Sequence, residues 1–258
     1  VERNSQLSKV QSYFDRNSAT WRDLYVNSRT INEFVLQERS DYALDLLSKN
    51  VPLGATVLDV GCGSGAAAVK IAQMGYLAHG VDMSPQMIAL CRERLSRILP
   101  ESGSVLFTAG DFMQMEFEPS HYEAVIALGF LEYQTDESAV LGRFHNIMKT
   151  GGLLIVSGPQ SLSLSGAFGL TGLLLKLTGR QALALHSYSR PRMSRLLLSA
   201  GFEVEDIIRH GFALLPTVEA LVGFRTAVSV HKALTALSKV FPIDAFANDI
   251  IVAAIKKG

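Results

Sequence analysis

Between residues 55 and 155 the chain alternates short, β-branched apolar runs with longer stretches whose apolar positions recur at helical spacing. Runs that are apolar throughout, rather than at every second position, predict a parallel sheet buried on both faces by helices. The repeating unit is β-α-β-α, with strands expected at Thr56–Val60, Leu77–Asp82, Val105–Ala109, Tyr122–Leu128 and 153–157. Ser84-Pro85 reads as an N-cap and a first-turn proline, and Lys149-Thr150-Gly151-Gly152 as the cation and glycine that close the helix before the fifth strand. Further along, a helix is expected at 191–200, ending at Gly201, then a sixth strand at 202–209 and a last one at 249–255.

Three segments lie outside this alternation: 1–50, 160–187 and 211–247. They are apolar rather than linker-like, so they are expected to pack as extra helices and to serve as lids. In the last one Arg225, Ser229, Lys232 and Lys239 recur on one face, while Ala227, Val230, Leu234, Leu237 and Phe241 recur on the opposite one. That pattern predicts an amphipathic helix. The expected organisation is one domain: a helical cap (1–50), a core (51–160), lid inserts (161–187 and 211–247), and 188–210 with 248–258 completing the core.

Composition narrows the chemistry. At 258 residues and 48% hydrophobic the chain can bury a sizeable core, which excludes a disordered tail or a disulfide scaffold. Lys plus Arg equals Asp plus Glu at 24 each, so no long-range basic field favours nucleic acid. Cys62 and Cys91 stand alone, without metal-ligand spacing, so a reducing, cytoplasmic location and no structural zinc are expected. The chain begins at Val1, which leaves an upstream segment open, and shows no signal peptide pattern. Its most apolar stretch, 162–175, falls short of the roughly 18 residues a spanning helix needs.

The informative run is Asp59-Val60-Gly61-Cys62-Gly63-Ser64-Gly65, directly after a strand and opening a helix. Glycines there let backbone N–H groups approach a ligand closely. Gly61, Gly63 and Ala66 also satisfy the dinucleotide fingerprint, so an NAD(P)-dependent oxidoreductase stands as an alternative. Asp59 weighs against it, because a carboxylate at the strand end repels a pyrophosphate but suits an ammonium group.

With these residues the chain resembles the class I S-adenosylmethionine-dependent methyltransferases over roughly 56–157. The resemblance implies an α/β, Rossmann-like, doubly wound, mostly parallel seven-stranded sheet with the last strand antiparallel, plus helical lid inserts. It implies S-adenosylmethionine as cofactor, its methionine part held by Asp59, Gly61, Cys62 and Gly63, with Gly65 close by. Asp82 stands where the family binds both ribose hydroxyls, Met83 where it covers the adenine, and Asp111-Phe112 where it places an adenine-edge acid and an aromatic. Leu128-Gly129-Phe130-Leu131-Glu132-Tyr133 resembles the motif beside the sulfonium. Thr150 stands where the family's turn usually has Pro. The Asn/Asp-Pro-Pro-aromatic motif is missing after strand 4, which disfavours protein or nucleic-acid methylation.

Methyl transfer is an in-line displacement that needs mainly positioning, and a base matters only for an acceptor that must lose a proton. His79, His121, His145 and His231 read as structural. His186 and Tyr188, after the first lid insert, are the candidates for base or acceptor ligand, together with Glu132, and Tyr133 beside it. No cluster has metal-ligand spacing, so no metal is expected. Tyr13, Phe14, Asp15, Trp21 and Tyr25 resemble the aromatic cap of quinone-biosynthesis and natural-product methyltransferases. With 162–177 and 211–241 they are expected to enclose an apolar acceptor pocket, which accounts for the mean hydropathy of +0.22. The expected reaction is methylation of an oxygen, in preference to a carbon, of a hydrophobic small molecule such as a polyketide, quinol, macrocycle or lipid-like precursor. A non-catalytic cofactor-binding module, a peripheral membrane contact through Arg225, Lys232 and Lys239, and a homodimer through the lids stay open.

Overall fold

The structure, a computed structural model, describes residues 2–24, 28–98, 105–163, 183–213 and 216–258. Tyr25 and most of the 162–177 insert lie outside them. Seven strands form one sheet: β1 Thr56–Val60, β2 Leu77–Asp82, β3 Val105–Ala109, β4 Tyr122–Leu128, β5 Met148–Pro159, β6 Phe202–His210 and β7 Asp249–Lys256. Their order is β3-β2-β1-β4-β5-β7-β6. β1 to β5 run parallel, and β7 lies antiparallel between β5 and β6. The expected doubly wound sheet with its antiparallel last strand is thus present.

The apolar runs dictate this sheet. Val57, Leu58 and Val60 of β1 and Val125, Ile126 and Ala127 of β4 are fully buried, each strand being covered on both faces. One side is filled from α3 (Ile31–Asn50) and α4 (Ala66–Gln73), with Leu47, Ile71 and Tyr76 in its core. The other is filled from α6 (Glu137–Ile147) and α7 (Arg190–Ser199), with Phe144, Met193 and Leu197. β1 carries β2 on one edge and β4 on the other. The crevice at this reversal of strand order, beyond the carboxyl ends of β1 and β4, is where open α/β sheets bind ligands.

Helix signals are local and mostly realised as read. Ser84 Oγ accepts the Met87 N–H at 3.1 Å to start α5 (Pro85–Ile98). Thr30 and Glu33 form a capping box at the head of α3. The stop before β5 differs from expectation. α6 ends at Ile147 and the chain enters β5 at Met148, because Lys149 pairs with Glu123 of β4 instead of closing a helix.

The cap consists of α1 (Glu2–Arg16), α2 (Ser18–Leu24) and α3. The segment 211–247 forms α8 (Pro216–Val222), α9 (Phe224–Ser238) and a 3-10 turn at Pro242–Phe246. The expected apolar face of α9 is only half realised. Ala227 is buried against Ile31, Val35 and Ala213, but Val230, Leu237 and Phe241 are exposed. The inward register passes instead through His231, whose Nδ1 accepts the Phe212 N–H at 3.1 Å and whose Nε2 meets Glu38 at 3.1 Å. Both nitrogens of the buried imidazole are thereby satisfied, as a buried polar group requires.

Candidate active site

A cavity of about 470 Å³ opens at the carboxyl ends of β1, β2 and β4. One half is built from backbone and acids. After β1, Gly61, Gly63 and Gly65 have positive φ (72°, 53° and 75°), so the loop can turn sharply and lead into α4. A Cβ on Gly63 would meet nothing within 4 Å, which leaves the loop's backbone bare toward the cavity. A Cβ on Gly65 would lie 2.8 Å from Cys91 Sγ and 2.9 Å from Phe107, so that glycine is fixed by packing.

Asp82 ends β2 and spans both loops: Oδ2 accepts the Gly63 N–H and Oδ1 the Ser84 N–H, each at 2.9 Å. Asp82, Met83, Gly110, Asp111, Phe112 and Leu128 all line the cavity, with Cys62 and Gly63. Asp111 Oδ1 accepts the Met113 N–H at 3.0 Å while its Oδ2 pairs with Arg3 at 2.8 Å. Asp59 does not line the cavity. It is buried next to the loop with Oδ2 unpartnered, and burial, then the neighbouring Asp82, push its pKa up to about 7. The Cys62 thiol is held well above the ordinary range by Cys91 and by burial, so it stays protonated.

The other half belongs to the cap and the strand ends. Leu7, Val10, Phe14 and Trp21 of α1 and α2 form an apolar wall, continued by Val35 and Leu36 of α3. At its polar end stand Arg39, Asp249, Asn248, Glu132 and Tyr133. Arg39 Nη1 pairs with Asp249 Oδ2 at 3.0 Å, both side chains being nine-tenths buried, and its guanidinium lies against Gly129. Glu132 is buried with Oε2 unpartnered. Burial raises its pKa to about 8, with Arg39 acting in the opposite direction.

Residues 53–176 match a family model described as "Methyltransferase domain". Over 164 residues the chain is 32% identical to the ubiquinone biosynthesis O-methyltransferase of Pseudomonas paraeruginosa, covering 60% of this chain and 67% of that one. Its namesake in Xylella fastidiosa is 29% identical over 219 residues, 80% of each chain. Among solved structures, magnesium protoporphyrin IX methyltransferase from Synechocystis with bound S-adenosylhomocysteine superposes with a TM-score of 0.69 at 20% identity, covering 97% of this chain and 99% of that one. The chain belongs to the class I S-adenosylmethionine-dependent methyltransferases.

Membership settles the cofactor as S-adenosylmethionine and sets aside the dinucleotide reading of Gly61, Gly63 and Ala66. The methyltransferase cavity suits that cofactor on its own chemistry. A bare glycine backbone matches a carboxylate, and Asp82 and Asp111 offer acceptors to hydroxyl and amino groups, while Asp59 stands buried behind the loop.

The candidates for the acceptor's chemistry are not all brought together. Glu132 and Tyr133 line the cavity; His186 and Tyr188 do not. His186 is tied to the turn after β4, its Nε2 3.0 Å from the Gln134 carbonyl and its N–H donating to the Glu132 carbonyl at 3.2 Å. Tyr188 is fully buried beside Gly158, under the Arg192 guanidinium at 4.9 Å. Burial, then Glu137, drive its hydroxyl far above the ordinary range. His79 is structural as expected, bridging Tyr122 and Thr108 at 2.8 and 3.0 Å. Arg39 and Asp249 escaped the sequence reading. They stand 210 residues apart, and only a pairing visible in three dimensions gives either a role. Among the described residues no group of three His, Cys, Asp or Glu side chains could hold a metal ion, and no helix is long and apolar enough to cross a membrane.

Proposed function

We propose that this methyltransferase methylates a hydroxyl oxygen of a largely apolar small molecule, with Glu132 as the base. The observation that carries the reading is Glu132 itself: a buried carboxyl with an unpartnered oxygen, at the polar end of an otherwise apolar wall and immediately after β4. When bound, the cofactor supplies an electrophilic methyl group on a positively charged sulfur. The chain's own share is to hold the donor, orient the acceptor and take its proton. Leu7, Val10, Phe14 and Trp21 exclude water and receive the apolar body. The Arg39–Asp249 pair fixes the polar end, and Glu132 Oε2 accepts the hydroxyl proton as the oxygen becomes nucleophilic. A group whose pKa lies near 8 is matched to a phenol or enol, whereas a carboxylic acid is already ionised and needs no base. The O-methyltransferase relatives favour oxygen over carbon, and His186 and Tyr188 are assigned to shaping the segment behind the site.

The test is a panel of long-chain phenols, enols and carboxylic acids incubated with the protein and S-adenosylmethionine, read by mass spectrometry for a one-methyl gain. Methylated phenol or enol is expected, lost by a factor of roughly 10² to 10⁴ in Glu132→Gln while S-adenosylhomocysteine still binds. Esters as the only products, or an unaffected Glu132→Gln, would dismiss Glu132 as base.

A further inference from the structure

We propose that Tyr188 is a positioning residue for Glu132: its ring forms the dry back wall that separates the Glu132 carboxyl from the water around Arg192. This rests on Glu132 as the base of the proposed reaction. The acceptor cavity bounds Glu132 on one side, and Tyr188 decides what lies on the other.

Gly158, near the end of β5, is where the two side chains meet. A Cβ there would lie 2.6 Å from Tyr188 Cε2 and 3.6 Å from Glu132 Oε2. The bare backbone lets the ring approach more closely than even an alanine would allow, and the ring then fills the space beside the carboxyl. Tyr188 is delivered there by the chain: its N–H donates to the Pro159 carbonyl at 2.8 Å, and its own carbonyl accepts the Ser161 N–H at 2.9 Å. Arg192 covers the ring with its guanidinium 4.9 Å from the centroid, an attractive contact. That guanidinium is held in turn by Glu137 Oε2 at 2.5 Å and by the Ser187 carbonyl at 2.9 Å. Its side chain is 33% exposed, whereas Glu132 is 5% exposed and Tyr188 not at all. From the carboxyl outward the order is therefore Glu132, Tyr188, Arg192 and solvent.

The wall excludes water from a place that would attract it. Glu132 Oε2 and Glu137 Oε1 are both buried without a hydrogen-bond partner, and two such oxygens would recruit a water given room for one. A hydrated carboxyl ionises at low pH and is a weak base, whereas a dry one keeps its proton affinity into the range of a phenol. Burial is the leading cause of the Glu132 pKa of about 8. The charges facing Glu132 act in opposite directions: Arg39 from α3 lowers the value and Asp249 from β7 raises it. Tyr133 in the same turn and Tyr188 behind it stay neutral, with hydroxyls held above the ordinary range chiefly by burial. Behind Tyr188, Glu137 and Arg192 pair with each other. Dryness, rather than a neighbouring charge, is what the wall provides.

The experiment is carbon-13 NMR of the intact protein labelled at the glutamate δ-carbons and saturated with S-adenosylhomocysteine, followed across pH. The Glu132 resonance is assigned by its loss in Glu132→Gln. In the unsubstituted protein a midpoint of about 8 is expected. Tyr188→Phe keeps the ring and should keep that midpoint. Tyr188→Ala opens the wall to water and should lower it by roughly one pH unit or more, and Tyr188→Leu, which fills part of the space and disturbs the fold less, should fall between. A melting-temperature rise with S-adenosylhomocysteine checks that each variant is folded. The same midpoint in the unsubstituted protein, Tyr188→Ala and Tyr188→Leu overturns the proposal and leaves Glu132 as the base. An equal fall in Tyr188→Phe and Tyr188→Ala assigns the effect to the hydroxyl and overturns it as well. A midpoint in the ordinary carboxylate range before any substitution removes the reading of Glu132 and this one with it.

Discussion

Asp59 and Asp82 are two carboxyls placed side by side at neighbouring strand ends, and the protein tolerates this by keeping Asp59 protonated. In the unfolded chain an aspartate ionises near pH 3.9, whereas folded Asp59 holds its proton to about pH 7. Between those values the unfolded chain has released a proton that the folded chain keeps, so stability falls as pH rises across the window and levels off above it. Asp59→Asn should therefore flatten the fall and leave the ligand-free protein more stable by roughly 2 to 4 kcal/mol near pH 8, read by thermal melts across pH. The family resemblance implies that the same variant weakens S-adenosylmethionine binding, which titration calorimetry would read. Asp82→Ala should also lose affinity, here through charge-assisted hydrogen bonds worth about 1.5 to 3 kcal/mol each, roughly ten- to hundredfold by titration calorimetry. An unchanged affinity would remove Asp82 from the ribose. That Asp82, Asp111 and Glu132 line one cavity was legible because each follows a strand end at a short motif. His186 and Tyr188 were read as facing the acceptor because they follow a lid insert, but nothing in their local sequence records that Gln134 and Glu137 would engage them from the far side of the turn.

Among the elements, β1 to β4 were readable to the residue because parallel strands in the sheet are largely apolar, whereas β5 runs from Met148 to Pro159 instead of 153–157, and β6 and β7 each extend one residue further than expected. Helix ends were less so: Lys149 has the chemistry of a helix-closing cation, and only its pairing with Glu123 on β4 overrides it. α9 shows the same limit more sharply. Its helical period was plain, but which part of the stripe turns inward depends on His231 finding Glu38 on α3 and the backbone of Phe212. At this scale the glycine loop and the long-range pair make two stability predictions. Gly65→Ala forces both a left-handed φ and a Cβ 2.8 Å from Cys91 Sγ, which should cost about 1 to 3 kcal/mol and loosen the start of α4. Asp249→Asn removes the carboxylate that pairs with Arg39 between α3 and β7 and should cost about 1.5 to 3 kcal/mol in chemical denaturation. Replacing both members by apolar residues of similar volume should recover much of that loss while disturbing the polar end of the acceptor wall.

For the whole molecule, the cap and the sheet close on one chamber from opposite sides. Arg3 reaches Asp111, Asp15 bonds to Ser84, and Ser64 Oγ donates to the Trp21 carbonyl at 3.1 Å. Each contact joins the cap to a different cofactor loop, so a ligand seated among the loops should stabilise cap and core as one unit. S-adenosylhomocysteine at a hundred times its dissociation constant should add about 2.7 kcal/mol to unfolding and protect the amides of α1 from hydrogen exchange. Protection confined to the loops would show that cap and core respond separately. The direction of β7 has a practical side. Running against its neighbours, it starts with Asp249 in the chamber wall and carries the chain out at the opposite end of the sheet, where the Lys257 N–H meets the Gly201 carbonyl. A surface tether on Lys257 should therefore leave the mouth of the chamber clear, while a fluorophore on Arg3 would take the place of its pair with Asp111 at the cavity wall and report on what enters.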